Sequence, residues 1–242
     1  MAESEIWITQ FFNAHLAGMG NWLAGLAGIP SQAHPWANYA VMQILVAALL
    51  MAVFPILRMR LSADRPGKFQ QTFELVYEFV RGQAEEQVGH DCERYLPFFG
   101  AVFLFILTSN LIGLIPVFEA PTMSPEVTLG CALATFFYYH ALGIWANGFK
   151  YAAHFAGPLW WLAPLMFPIE IISHLARVLS LTVRLYANMF AGEQVTMVFL
   201  KLTFFIGPAV FMGLHVFVGV VQAYIFMLLA MVYVGGAVAH EH

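Results

Sequence analysis

Charge is scarce in this chain: Asp, Glu, Lys and Arg make up 10% of its 242 residues, against about 25% in soluble domains. With a mean hydropathy of +0.74, that scarcity excludes a soluble body and requires an integral membrane protein. Cysteine is nearly missing. Cys92 and Cys131 lie far apart and form no CxxC pair, so neither a disulfide framework nor a thiolate metal site is expected. There is no HExxH and no P-loop, which argues against an independent hydrolase and against ATP binding on this chain. Nothing reads as a basic nucleic-acid patch, and no cofactor is expected. The opening MAESEIWITQ has no basic n-region leading into an apolar run, so no cleaved signal is expected.

What the chain does contain is apolar runs of spanning length. About 20 apolar residues cross about 30 Å of hydrocarbon, and backbone inside lipid must satisfy itself as helix. The expectation is therefore an all-α polytopic membrane protein, a single domain over 1–242, with five membrane helices and one interfacial helix. Residues 1–35 read as a partly ordered outer segment without Lys or Arg. A first span at 36–57 is followed directly by Arg58, Arg60, Arg65 and Lys68, which marks that end as cytoplasmic by the positive-inside rule. Residues 67–93 keep helical spacing at Phe69, Phe73, Val76, Phe79 and Val80 between polar residues. That pattern suits an amphipathic helix along the cytoplasmic interface.

Further spans are expected at 95–117 and 126–147, returning the chain to the side of Lys150. Seven of the ten Lys and Arg residues then lie on the cytoplasmic side; the others are Arg177, Arg184 and Lys201. A helix over 165–206 and another over 208–236, turning at Gly207-Pro208, complete the set as a long hairpin. From Ile169 to Ile206 there is no proline and only Gly192 as a weak point, giving a helix of roughly 57 Å that fits a bilayer either strongly tilted or with a break near Gly192. The N-terminus then lies outside and the tail His240-Glu241-His242 in the cytoplasm.

The long helix carries the polar groups that need explaining: Glu170, Arg177, Arg184, Asn188 and Glu193. Ionisable residues at membrane depth are expensive and mark ion paths or partners. Arg184 is the most costly, because a guanidinium keeps its proton at any accessible pH. At about 100° per residue, Glu170, Ser173, Arg177, Ser180 and Asn188 fall within about 40° of Arg184. If the helix continues unbroken past Gly192, Glu193 lies about 180° away. The hydroxyls of Ser173 and Ser180 are equally well suited to gluing helices together. Arg184 has no acid three or four residues away, so any partner comes from another segment or chain. On the final helix His215, Gln222 and Tyr233 share a stripe, which the hairpin brings towards Glu193. A Glu and a His there could relay protons, or His215 could simply donate to a backbone carbonyl.

LSLTVRLYANMFAGE at 179–193, HVFVGVVQAYIFMLLAMVY at 215–233, and NLIGLIP at 110–116 with PTMSPEVTL at 121–129 resemble subunit a of the bacterial F-type ATP synthase. Their order and spacing extend the likeness over about residues 36–242. The resemblance implies a rotary-motor subunit that binds no ATP itself and sits in the bacterial cell membrane. Its partners would be a ring of c subunits, the peripheral-stalk b subunits, the rest of the complex and lipid. It further implies that Arg184 faces the ring carboxylates between two offset aqueous half-channels. Glu193, His215, Asn188 and Gln222 would belong near the outer one, and Glu170, Ser173 and Arg177 near the cytoplasmic one. The family often has Asp-Leu-Asn where this chain has Ser124-Pro125-Glu126, which makes Glu126 the candidate replacement carboxylate.

The rival class is an ion-coupled secondary transporter, which also uses midplane charges. No inverted repeat and no matching pair of Gly/Pro-broken helices supports it. A haem carrier using His140 and His154 is disfavoured by Gly143, Asn147 and Gly148 between them.

Overall fold

The computed structural model describes residues 6–26, 28, 30–62, 66–115, 118–147, 163–202 and 206–238. Arg65, Pro116, Gly148, Lys150, His154 and the tail from 239 onward lie outside them. All regular structure among the described residues is helical: α1 (Trp7–Leu26), α2 (Asn38–Met59), α3 (Lys68–Val88), α4 (Leu96–Ile112), α5 (Pro125–Asn147), α6 (Ala163–Leu202) and α7 (Ile206–Val238), with short 3₁₀ turns at His90–Arg94 and Pro121–Met123.

Four of these helices, α2, α5, α6 and α7, are long and apolar enough to cross a membrane. Helix α4 has 17 residues, about 26 Å, and stops short of the expected 117. There the chain turns at Gly113, where an added Cβ would come within 2.7 Å of the Ala120 side chain.

Within the N-terminal segment the structure has α1, a helix broken at Leu16. The break has a visible cause. The Trp36 indole donates to the Leu16 carbonyl at 2.9 Å, while Asn13 exchanges two hydrogen bonds with the Trp36 backbone. Asn21 does the same for Gln32. Gly20 lets the returning chain pass, since a Cβ there would meet Pro35 and Trp36 at 2.8 Å.

Helix α3 ends at Gly89, whose φ of 96° lies in the left-handed region that glycine adopts at no steric cost. It buries Val80 and Ala84 in the common core. It is also clamped to α7, where Tyr224 donates to Gln83 at 2.8 Å and Gly235 sits against the Gln87 carbonyl.

Helices α4 to α7 form the bundle around Phe99, Ile106, Leu185, Met189, Phe226 and Met231. A buried polar junction crosses it between α4 and α7. Asn110 on α4 donates to the Gly219 carbonyl of α7 at 2.9 Å and accepts from Thr122 at 2.7 Å. Small residues and side-chain amides of this kind hold helices together where lipid removes the hydrophobic drive.

Helix α6 starts before Pro168 and runs unbroken through Gly192 for 40 residues, about 60 Å and twice the hydrocarbon thickness. A proline this close to a helix start removes one hydrogen bond from the second turn and leaves the rest intact.

Candidate functional site

The register of α6 decides what its polar side chains can reach. Val178, Leu181, Leu185 and Met189 are buried against the bundle. Ile172, Leu175, Leu179, Val183 and Phe190 form an exposed apolar face. Glu170, Ser173, Arg177, Ser180, Arg184 and Asn188 run along one border between the two faces, and Glu193 lies on the opposite border, about 180° round from Arg184.

Arg184 itself has one side-chain bond, a long one of 3.4 Å to Ser180 Oγ. Among the described residues no carboxylate pairs with it. A permanent cation in an apolar helix is costly, and such residues mark ion paths or partners.

Towards the C-terminal end of α6, Asn188 donates to Gln222 of α7 at 2.9 Å, so two residues 34 apart in sequence close the hairpin beside the arginine. Next to them is a cavity of about 240 Å³ lined by Asn188, Met189, Gly192, Val195, Phe211 and His215. The His215 ring rests on the backbone of Gly192: a Cβ there would come within 2.7 Å of Nδ1. Among the described residues His215 and Glu193 make no direct ion pair or hydrogen bond. The loop carboxylate that approaches Glu193 is Glu119, near enough for their charges to interact. Glu126 occupies the first turn of α5, where the helix dipole favours an acid, and its charge is felt by Tyr39 at the start of α2.

Towards the N-terminal end of α6, Glu170 pairs with His174 at 3.3 Å. His174 in turn bonds to the Tyr139 hydroxyl of α5 at 2.8 Å. The His140 ring lies 4.7 Å from that of His174, and Arg177 stands over the Tyr233 ring at 5.2 Å. Ser173 is half-buried beside them. The sequence reading gave Glu119, Tyr139 and His174 no place in the site, and weighed His140 only as a haem ligand. Only the two histidines carried a signal, as titratable groups inside apolar helices.

The family model described as ATP synthase A chain matches residues 40–235. The chain belongs to the ATP synthase subunit a family. The subunit a of Solibacter usitatus is 66% identical over 232 residues, covering 96% of this chain and all of the relative. The subunit a of Koribacter versatilis is 50% identical, with 98% of each chain covered. That of Geobacter sulfurreducens is 42% identical over 89% of this chain and 90% of its own length. As a member of the subunit a family, the chain is a membrane-sector subunit of a bacterial ATP synthase complex, with a part in proton transport and ATP synthesis. For a subunit a, an arginine flanked by a cavity at one end of α6 and a carboxylate–imidazole cluster at the other divides the helix into two separate polar regions.

Proposed function

We propose that this chain is the stator that provides two offset proton half-channels to a rotating c ring, with Arg184 as the charge that separates them. Carriage of this reading falls chiefly to one observation: Arg184 has no carboxylate partner among the described residues and stands at the edge of an exposed apolar face of α6. A ring of subunits, each with a membrane-embedded carboxylate, covers that face and supplies the missing anion. Arg184 favours each carboxylate in its ionised form and stops protons from crossing between the half-channels without turning the ring.

Glu193, His215, Asn188 and Gln222 line the outer access, where the cavity beside His215 has room for water and Glu119 adds a second carboxylate. Glu193 and His215 make no direct hydrogen bond among the described residues, so in this reading water links them. Glu126 stands at the rim of this side. Glu170, Ser173 and Arg177 line the cytoplasmic access. Glu170 and Glu193 are about 21 Å and 13 Å along the axis from Arg184, on either side of it.

In the bilayer α6 and α7 lie strongly tilted, because about 60 Å of apolar helix exceeds the hydrocarbon thickness twofold. The N-terminus is outside and the C-terminus cytoplasmic, which puts Arg58, Arg60, Lys68, Arg81 and Arg94 on the cytoplasmic side. The peripheral-stalk b subunits hold the chain still while the ring turns.

Purification from mild detergent tests the assembly. The expected result is recovery together with a small hairpin proteolipid in several copies per chain. Recovery alone, or with a solute-binding partner, would favour an ion-coupled transporter.

A further inference from the structure

The cluster at the N-terminal end of α6 contains more than a half-channel carboxylate needs. His174 is engaged at both ring nitrogens: Nδ1 faces the Tyr139 hydroxyl at 2.8 Å and Nε2 faces Glu170 Oε1 at 3.3 Å. Exposure rises along this chain of groups. Tyr139 is 2% exposed, and the His174 and Glu170 side chains 10% and 30%. His174 also lies one helical turn nearer Arg184 than Glu170 does, about 15 Å from it along the axis.

We infer that His174 is a proton-relay residue of the cytoplasmic access path, passing protons between the Tyr139 hydroxyl and Glu170. The inference rests on the stator reading above. Two arrangements satisfy both nitrogens of His174 and the Glu170 carboxyl. In one, Glu170 is ionised, Nε2–H donates to it, and the Tyr139 hydroxyl donates to Nδ1. In the other, Glu170 is protonated and donates to Nε2, and Nδ1–H donates to the Tyr139 oxygen.

Passing from the second arrangement to the first moves one proton. Glu170 gives its proton to Nε2, Nδ1 gives its own to the Tyr139 oxygen, and the hydroxyl proton displaced there passes to a water molecule of the access path, which carries it away as hydronium. One proton is released, Glu170 is left ionised, and both His174 and Tyr139 end neutral. The reverse passage takes one up. Imidazole is suited to this because its two nitrogens exchange donor and acceptor roles.

Among the described residues, the charged and titratable groups around His174 include Glu170 and Arg177 on its own helix, Tyr139 and His140 on α5, and, packed against Tyr139, Tyr233 on α7. His140 is held by its Nδ1 at the Phe136 carbonyl, 3.0 Å away, with its ring against Tyr139. It buttresses the relay from the α5 side.

His174→Gln separates relay from packing, because an amide can donate to Glu170 and accept from Tyr139 but cannot exchange those roles. In inverted membrane vesicles containing the whole complex, ATP-driven acidification per assembled complex should fall about tenfold. Its dependence on the pH of the cytoplasmic face should change, and that on the opposite face should not. Tyr139→Phe, which keeps the ring packing, should lower the rate about threefold and alter the same profile.

Parental rates and an unaltered cytoplasmic-side profile in His174→Gln would overturn the inference. If His174→Gln fails to assemble, parental behaviour of Tyr139→Phe would overturn it instead. Arg184→Ala, measured alongside, tells the two readings apart. Pumping that survives in Arg184→Ala sinks the stator reading itself, whereas its loss beside a normal His174→Gln sinks only the relay.

Discussion

Arg184→Ala abolishes ATP-driven proton pumping, to at least about 100-fold below the parental rate, in membranes that contain normal amounts of the complex: this is the largest effect expected of any single substitution here. Folding should barely register the change. Arg184 contributes one 3.4 Å bond to Ser180 and no ion pair among the described residues, and a contact that long adds little to stability. Passive proton leak down a gradient should rise in the same membranes, because in the proposed mechanism the fixed positive charge is the barrier between the two accesses. Lysine is a poor substitute, since its ammonium can shed the proton that guanidinium keeps. Pumping and leak are read from vesicle acidification and its decay, and complex abundance from immunoblots.

The second large effect belongs to Gly192→Val. Backbone conformation does not require glycine there, as α6 is regular throughout. Proximity does. Even one Cβ would sit 2.7 Å from Nδ1 and 3.1 Å from Cε1 of His215, so the imidazole must leave its seat, and the γ-carbons of valine would intrude on the cavity that it lines. Misplacing a transfer group by about 1 Å costs up to about 100-fold in rate, and a loss of that order in proton flow is expected. The Asn188–Gln222 bond one turn away should keep the hairpin closed, so complex abundance should fall much less than flow. Equal losses in both would mean that Gly192 serves packing alone. Gly192→Ala should give a milder version of the same pattern.

The central helix could be read from sequence because its period is the signal. With no break at Gly192, one angle per residue carries Glu170, Arg177, Arg184 and Asn188 to a single border and Glu193 to the opposite one. Helix α6 begins earlier than 165 because Pro168 falls near its start, where its missing N–H matters little. What the wheel could not contain was the partners. His174 falls at about +80° from Arg184, outside the polar arc, and its role depends on Tyr139, 35 residues away on another helix.

The same holds at the outer access. The family resemblance nominated Glu126 as the spare carboxylate, while the turn at Gly113 brings Glu119 towards Glu193. The order of α1 was hidden for a third reason. It is made by Asn13 and Asn21 reaching across to Trp36 and Gln32, and long-range amide pairs leave no periodicity.

The claim on which all of this depends is that the Arg184 border of α6 faces the ring carboxylates. Single cysteines placed along that border at Ser180, Ala187 and Asn188, each combined with a cysteine beside the ring carboxylate, test it by oxidative crosslinking in native membranes. The expected result is crosslinks at these positions, periodic with the helix and absent from a cysteine at buried Val178. No crosslink anywhere along the border, in membranes where the complex is assembled, would contradict the assignment and leave Arg184 as part of a structural stripe.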